Sequence, residues 1–160
     1  SSDLEFLKDK SVLKALSLSD PGIVMGFRDK FEKIESYGID MVFGNDDEAK
    51  AFSGKETLDE AVTFLKEKSF TSLITTGADG SIVIADGSEE VVSGEKINPI
   101  DTNGAGDMFA GSFMFAYLEK MSLTSCAKFA NYAASKVVET FGPRLSKDGY
   151  LEVKNNIQKY

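Results

Sequence analysis

The chain has 160 residues, enough for one domain or one compact half of a larger one, and a chain of that length can bury roughly 70% of its unfolded surface. Hydrophobic residues make up 42% and charged residues 28%, as in soluble globular proteins; no apolar run nears the ~18 residues of a bilayer span, and no secretory leader is expected. A net charge of −8 argues against a nucleic-acid-tracking protein, and a single cysteine and no histidine exclude an internal disulfide framework, Ser-His triads and most transition-metal sites.

The opening "SSDLEFLKDK" lacks an initiating methionine and reads as a helix already in progress, as in a processed product or a fragment. "SVLKALSLSD" predicts a strand over Leu13–Ser19. Asp20 as N-cap and Pro21 at the first helical position open a helix that Phe27, Phe31 and Ile34 stripe and Gly38 stops. "IDMVFG" is a short strand, and "NDDEAKAFSG" a short helix with an acidic first turn, closed by Gly54. Thr57 and Glu60 stand at capping-box spacing before a stripe of Ala61, Phe64 and Leu65. "FTSLITTGADGSIVIADGSEEVVSG" changes to β-rich runs broken by glycine turns. A long helix begins near Gly106. A second is capped by Ser122 or Thr124, carries Cys126 as a small core residue and stops at Gly142–Pro143; a final helix fills the tail. Strands alternating with helices, with helices closing the chain, predict an α/β layered sheet, and no linker divides it.

The chemistry concentrates in "DTNGAGDMFAGSF", residues 101–113. Small residues let a backbone turn sharply against a ligand. The amides of Gly104, Ala105, Gly106 and Asp107 fall at a helix N-terminus, where the helix leaves them unpaired and its dipole favours anions. Asp107 is placed to take a proton from a hydroxyl while those amides hold developing negative charge, an arrangement suited to phosphoryl transfer to an alcohol. Local amides and a metal ion can hold a phosphate despite the acidic total. The plainer alternative is a capping aspartate and glycines that fit a tight turn. The spacing is not that of a P-loop.

The whole string resembles the second signature of the ribokinase/PfkB family of carbohydrate and nucleoside kinases, Asp-Thr-x-Gly-Ala-Gly-Asp. "NDDE", Asn45 to Glu48, matches that family's Asn-x-x-Glu after a strand. "ITTGADGS" matches its strand and turn against ATP, and "FANYAASKVVETFGPRLS" its nucleotide-side helix and following loop. The resemblance implies a ribokinase-like fold and an ATP-dependent kinase of a sugar or nucleoside hydroxyl, with Asp107 as base and Gly104, Ala105, Gly106 and Asp107 as the anion hole. It implies that Asn45 and Glu48 order Mg2+ and the phosphates. Thr75, Thr76, Gly77, Ala78, Asp79 and Gly80 would line the triphosphate and ribose side, and Asn131 would sit near the adenine. A monovalent cation such as K+ would lie beside the hole among Asp101, Asn103, Val137, Thr140, Gly142 and Ser146, an oxygen set that suits a hard ion. Each of these positions also has a structural alternative: a capped acidic helix start at Asn45–Glu48, a hairpin turn with Gly80 at positive φ, a helix asparagine bonded to a neighbour, and a solvated loop carboxylate at Asp101.

Family members are about twice as long, and their N-terminal half carries the acceptor-recognising positions and a small β lid. Residues 1–160 therefore read as the C-terminal, nucleotide-binding portion. "SLSDP", "FGPRL" and the signature lean toward the adenosine-kinase-like branch. The expected partners are a small sugar or nucleoside acceptor and the N-terminal half of the same protein, with self-association where that half would pack. No nucleic-acid or membrane partner is expected, and the expected location is the cytoplasm. The rivals are a non-catalytic nucleotide-binding fragment and a structural α/β interaction domain. Nucleotide binding separates the last from the others, and phosphoryl transfer by the full-length protein separates kinase from module.

Overall fold

The structure is a computed structural model and describes residues 6, 10–31 and 33–160. The helix read at "SSDLEFLKDK" lies, apart from Phe6 and Lys10, outside the described residues. Five strands form a sheet in the order β1-β2-β3-β4-β5 with flanking helices. Two compact units divide the chain. One takes in the chain to Ile74 together with Ile84–Glu89, the other Thr75–Val83 together with Glu90–Tyr160. The boundaries between them fall at strands and not at a linker. No helix among the described residues is long and apolar enough to cross a membrane.

In the first unit β1 (Ala15–Ser17) pairs in parallel with β2 (Met41–Asn45), in register Ala15↔Met41 and Ser17↔Phe43. The strand is shorter than Leu13–Ser19 because Ser19 turns to φ 68, which no strand continues through. The helix after Asp20 is also shorter than its stripe suggests. Asp20 caps it and Pro21 opens it, giving α1 (Pro21–Gly26), but Phe27 leaves helical geometry at φ −121, ψ 26. A four-residue turn, α2 (Arg28–Phe31), and a 3-10 turn over Ile34–Tyr37 follow, and Gly38 ends the run at φ 67. The stripe fails as a core face: Ile34 is buried, Phe31 half-buried and Phe27 exposed.

Two capping boxes build the next helices, the second as its spacing predicts. Asn45 and Glu48 close one at the start of α3 (Asp46–Ser53), and Thr57 and Glu60 the other at α4 (Leu58–Lys66). Phe52 centres the packing of this unit, with the rings of Phe31, Phe64 and Phe70 at 6.1, 6.1 and 6.2 Å, the first two edge-on.

β3 (Thr71–Thr75) runs into a 3-10 turn, Gly77–Asp79, and then β4 (Gly80–Ala85). Asp86 and Gly87, both at positive φ (51 and 74), form the two-residue turn to β5 (Ser88–Ser93), the Asp-Gly hairpin that the sequence signals. In the second unit α5 (Ala105–Leu118) packs along α6 (Leu123–Val138). Phe109, Phe113 and Ala116 from one helix and Cys126, Ala127, Ala130, Ala133 and Val137 from the other are buried. The alanines of α6 keep its core face flat enough for the phenylalanines. Ser122, not Thr124, caps α6 through the Ser125 amide. Burial pushes the Cys126 thiol up to about 11, consistent with a core residue and not a nucleophile. Ser146 caps α7 (Lys147–Asn155), the tail helix.

Candidate functional site

The turn before α5 is held from two sides. Asp101 is no freely solvated carboxylate: one oxygen accepts from the Asn103 amide and the other from the Gly142 amide, both at 3.0 Å. Those amides hold its carboxyl below the usual range. The Ile100 amide reaches the Val138 carbonyl at 2.7 Å, so the incoming stem of the loop is tied to the end of α6. Gly104, the cap residue of α5, sits at φ 79, and a Cβ there would stand 2.3 Å from the Pro143 carbonyl oxygen. Glycine is required on both counts. Gly104→Ala is expected to cost about 2 kcal/mol or more, because left-handed strain alone is about 1–3 kcal/mol. A denaturant midpoint equal to that of the native protein would show that the Pro143 loop yields.

No side chain caps α5. Asp107 is exposed at its third position and meets no hydrogen-bond or ion-pair partner among the described residues. The capping alternative therefore has no support in the geometry. The amide row is narrower than its sequence suggests, since the Ala105 amide reaches back to the Thr102 carbonyl at 3.3 Å. Among the described residues the amides of Gly106 and Asp107 find no backbone acceptor. They point a +0.5-type partial charge at the space beside Asp107. A cavity of about 650 Å3 opens there, lined among others by Gly104, Asp107, Met108, Ser112, Phe115 and Arg144.

The oxygens expected around a cation lie on the same loops with different prior engagements. The Val137 carbonyl already accepts from the Thr140 amide (2.9 Å) and hydroxyl (2.8 Å), which fills both lone pairs. Ser146 Oγ accepts from the Gly149 amide. Asp101 spends one lone pair per oxygen and keeps others. No cluster of three or more His, Cys, Asp or Glu occurs among the described residues, so a cation here would rest largely on neutral oxygens.

The residues of this unit expected on the nucleotide side come together at the end of β5. Thr76 donates its amide to the Gly80 carbonyl at 2.9 Å, and Gly94 its amide to the Asp79 carbonyl at 3.0 Å. Gly80 at φ 109 lies so close to β5 that a Cβ would meet the Val92 carbonyl at 2.2 Å. Asn131, buried on α6, donates from Nδ2 to the carbonyls of Val92 and Ser93 at 3.1 and 3.3 Å. Its amide group fastens α6 to the strand end, while Thr76 through Asp79 remain partly or fully exposed. Ala78 lines a second hollow of about 340 Å3 with Glu95, Lys96, Ile97 and Asn98. Thr75, which ends β3, belongs to the same unit.

Asn45 and Glu48 belong to the other unit. Asn45 donates to both carboxylate oxygens of Glu48, from N at 3.0 Å and Nδ2 at 3.1 Å, and accepts from the Glu48 amide at 2.8 Å. Burial above all raises the Glu48 carboxyl, the Asn45 amide bond draws it back, and Asp20, Asp46 and Asp47 push it up further. The resemblance groups Asp101 and Gly142 around one cation, but the sequence carries no signal for the Gly104–Pro143 contact or for the cavity positions of Ser112 and Arg144.

Residues 8–148 match the family described as pfkB family carbohydrate kinase. The chain is 37% identical over 142 residues to adenosine kinase 2 of Arabidopsis thaliana, an alignment covering 79% of this chain and 41% of that protein. It is 34% identical over 114 residues to ribokinase of Haemophilus influenzae, covering 68% and 37%. The structure of adenosine kinase from Sinorhizobium meliloti superposes with a TM-score of 0.87 at 29% identity, over 96% of this chain and 48% of that one. The chain thus spans less than half the length of these relatives.

Proposed function

The chain belongs to the pfkB family of carbohydrate kinases, and on that premise we propose that it is the ATP-site portion of a kinase that phosphorylates a sugar or nucleoside hydroxyl, with an adenosine- or ribose-like acceptor. The observation that carries this reading is Asp107, an exposed, uncapped, unpartnered carboxylate beside the open amides of Gly106 and its own residue. A structural aspartate at that position would be bonded to the helix end.

In the reaction Asp107 accepts the proton of the acceptor hydroxyl. The new bond joins that oxygen to the γ-phosphorus, the β–γ bridging P–O bond breaks, and ADP leaves with the electron pair. The amides of Gly106 and Asp107 and the positive end of α5 receive the charge that spreads over the transferred oxygens. Thr75 to Gly80 and Asn131 frame the nucleotide on the β5 side. Mg2+, when bound with the nucleotide, would supply neutralising charge; the resemblance alone assigns Asn45 and Glu48 to it, and their oxygens are engaged in the capping box of the other unit. A single carboxylate suits an ion held mainly by phosphates and water.

The test is phosphoryl transfer by the full-length protein from ATP with Mg2+ to a panel of nucleosides and sugars. Absence of transfer to every acceptor, with nucleotide still bound, would leave only a nucleotide-binding module. A second expectation concerns the loop oxygens of Asp101, Asn103, Thr140, Gly142 and Ser146. Potassium is expected to raise the rate above that in sodium by ordering residues 101–106, and to protect their amides from exchange. Equal rates and equal protection in potassium, sodium and a bulky organic cation at matched ionic strength would remove the cation from the reading.

A further inference from the structure

We propose that Arg144 is a second phosphoryl-binding group of this site, held in place by the Asp101–Gly142 tie. The proposal rests on the kinase reading and adds a residue to it. Arg144 lines the same cavity as Gly104 and Asp107. Its backbone position is fixed by its neighbours: the Gly142 amide is bonded to Asp101, and the Pro143 carbonyl abuts Gly104. Arg144 therefore starts one Cα step, about 3.8 Å, beyond a residue in contact with the first turn of α5. A flexible arginine from there reaches the space in front of the Gly106 and Asp107 amides.

Two further observations point to an anionic ligand there. Ser112 is 8% exposed, lines the cavity, and has no hydrogen-bond partner among the described residues. Its hydroxyl opens toward the cavity and is free to donate to or accept from a ligand there. Arg144 itself is exposed and meets no carboxylate among the described residues, although acids outnumber bases 26 to 18 in this chain. The other charged groups that line the cavity are Asp107 and Lys154. The Lys154 ammonium lies over the Phe115 ring, 6.0 Å from its centre, away from the helix start in sequence register. Arg144 is thus the cation on the Gly104 side. A guanidinium offers paired donors that match two phosphoryl oxygens, which a lysine cannot reproduce.

The experiment compares native, R144A and R144K full-length protein. The readouts are kcat, KM for ATP, and binding of inorganic phosphate or pyrophosphate by calorimetry at two salt concentrations. R144A is expected to lower kcat by about 10²-fold, the loss seen when one transition-state donor is removed. It should also weaken phosphate binding at least tenfold and flatten its salt dependence, with R144K recovering part of each. Circular dichroism and the denaturant midpoint of each variant guard against misfolding, and R144Q serves if R144A does not fold. Native-like kcat and phosphate affinity in R144A would overturn the proposal. So would equal recovery by R144K and the uncharged R144Q, because the loss in R144A would then be one of side-chain packing and not of charge. If the native protein transfers phosphate to no acceptor, the kinase reading fails, yet the phosphate titration still reports on Arg144.

Discussion

If the proposed kinase reading holds, Asp107→Asn in the full-length protein is expected to lower kcat by about 10²–10⁴-fold, the usual cost of losing a general base, while KM for ATP stays nearly unchanged. The asparagine keeps the size and the hydrogen-bonding capacity of the side chain but cannot take the acceptor proton. Because no side chain caps α5 and Asp107 has no partner among the described residues, the substitution removes no structural bond. Stability should therefore move little, within about 0.5 kcal/mol as for surface positions without such features. A fall in kcat and kcat/KM by the same factor marks an interaction made only in the transition state. Near-native turnover in the variant would show that the carboxylate is a bystander at a helix start.

The elements legible in the sequence are those whose signals are local. Thr57–Glu60 marks its helix because a capping box is complete within four residues, and the acidic first turn after Asn45 marks the other. Asp86–Gly87 announced its hairpin because both positions must take positive φ. The stretch after Asp20 misled because Phe27, Phe31 and Ile34 have helical spacing, yet only tertiary packing decides whether a stripe is buried. Phe27 stays half exposed, and the helix ends there. At the site, the signature itself was legible in one string. What turns it into a shaped pocket was not. The Gly104–Pro143 contact and the Asp101–Gly142 tie join positions about forty residues apart, and no spacing rule reaches that far. Val137 illustrates the same limit from the other side. Its carbonyl falls where a cation ligand is expected, but the Thr140 amide and hydroxyl, three residues on, occupy it.

The 160-residue chain by itself is expected to hold adenine nucleotide weakly and to transfer no measurable phosphate. Its candidate groups all serve the donor: the Thr75–Gly80 turn and Asn131 on the β5 side, and the Gly104–Asp107 turn at α5. In the proposed enzyme the acceptor's recognition groups lie in sequence beyond these residues, as the 41% and 37% coverage of the kinase relatives suggests. Without them the reacting hydroxyl is not held against Asp107. Orientation of that kind supplies ~7–11 kcal/mol of a barrier, and its loss places turnover below detection. The surface carries a further expectation. Phe141 is 89% exposed, and Ile100, Leu118, Met25 and Phe27 are each at least half exposed, an apolar display that favours association. Calorimetry with ATP and Mg2+, a transfer assay over nucleosides and sugars, and sedimentation at several concentrations address the three parts together. Robust turnover by this chain would place the acceptor site within these residues, and a strictly monomeric chain at high concentration would show that those apolar side chains cover no interface.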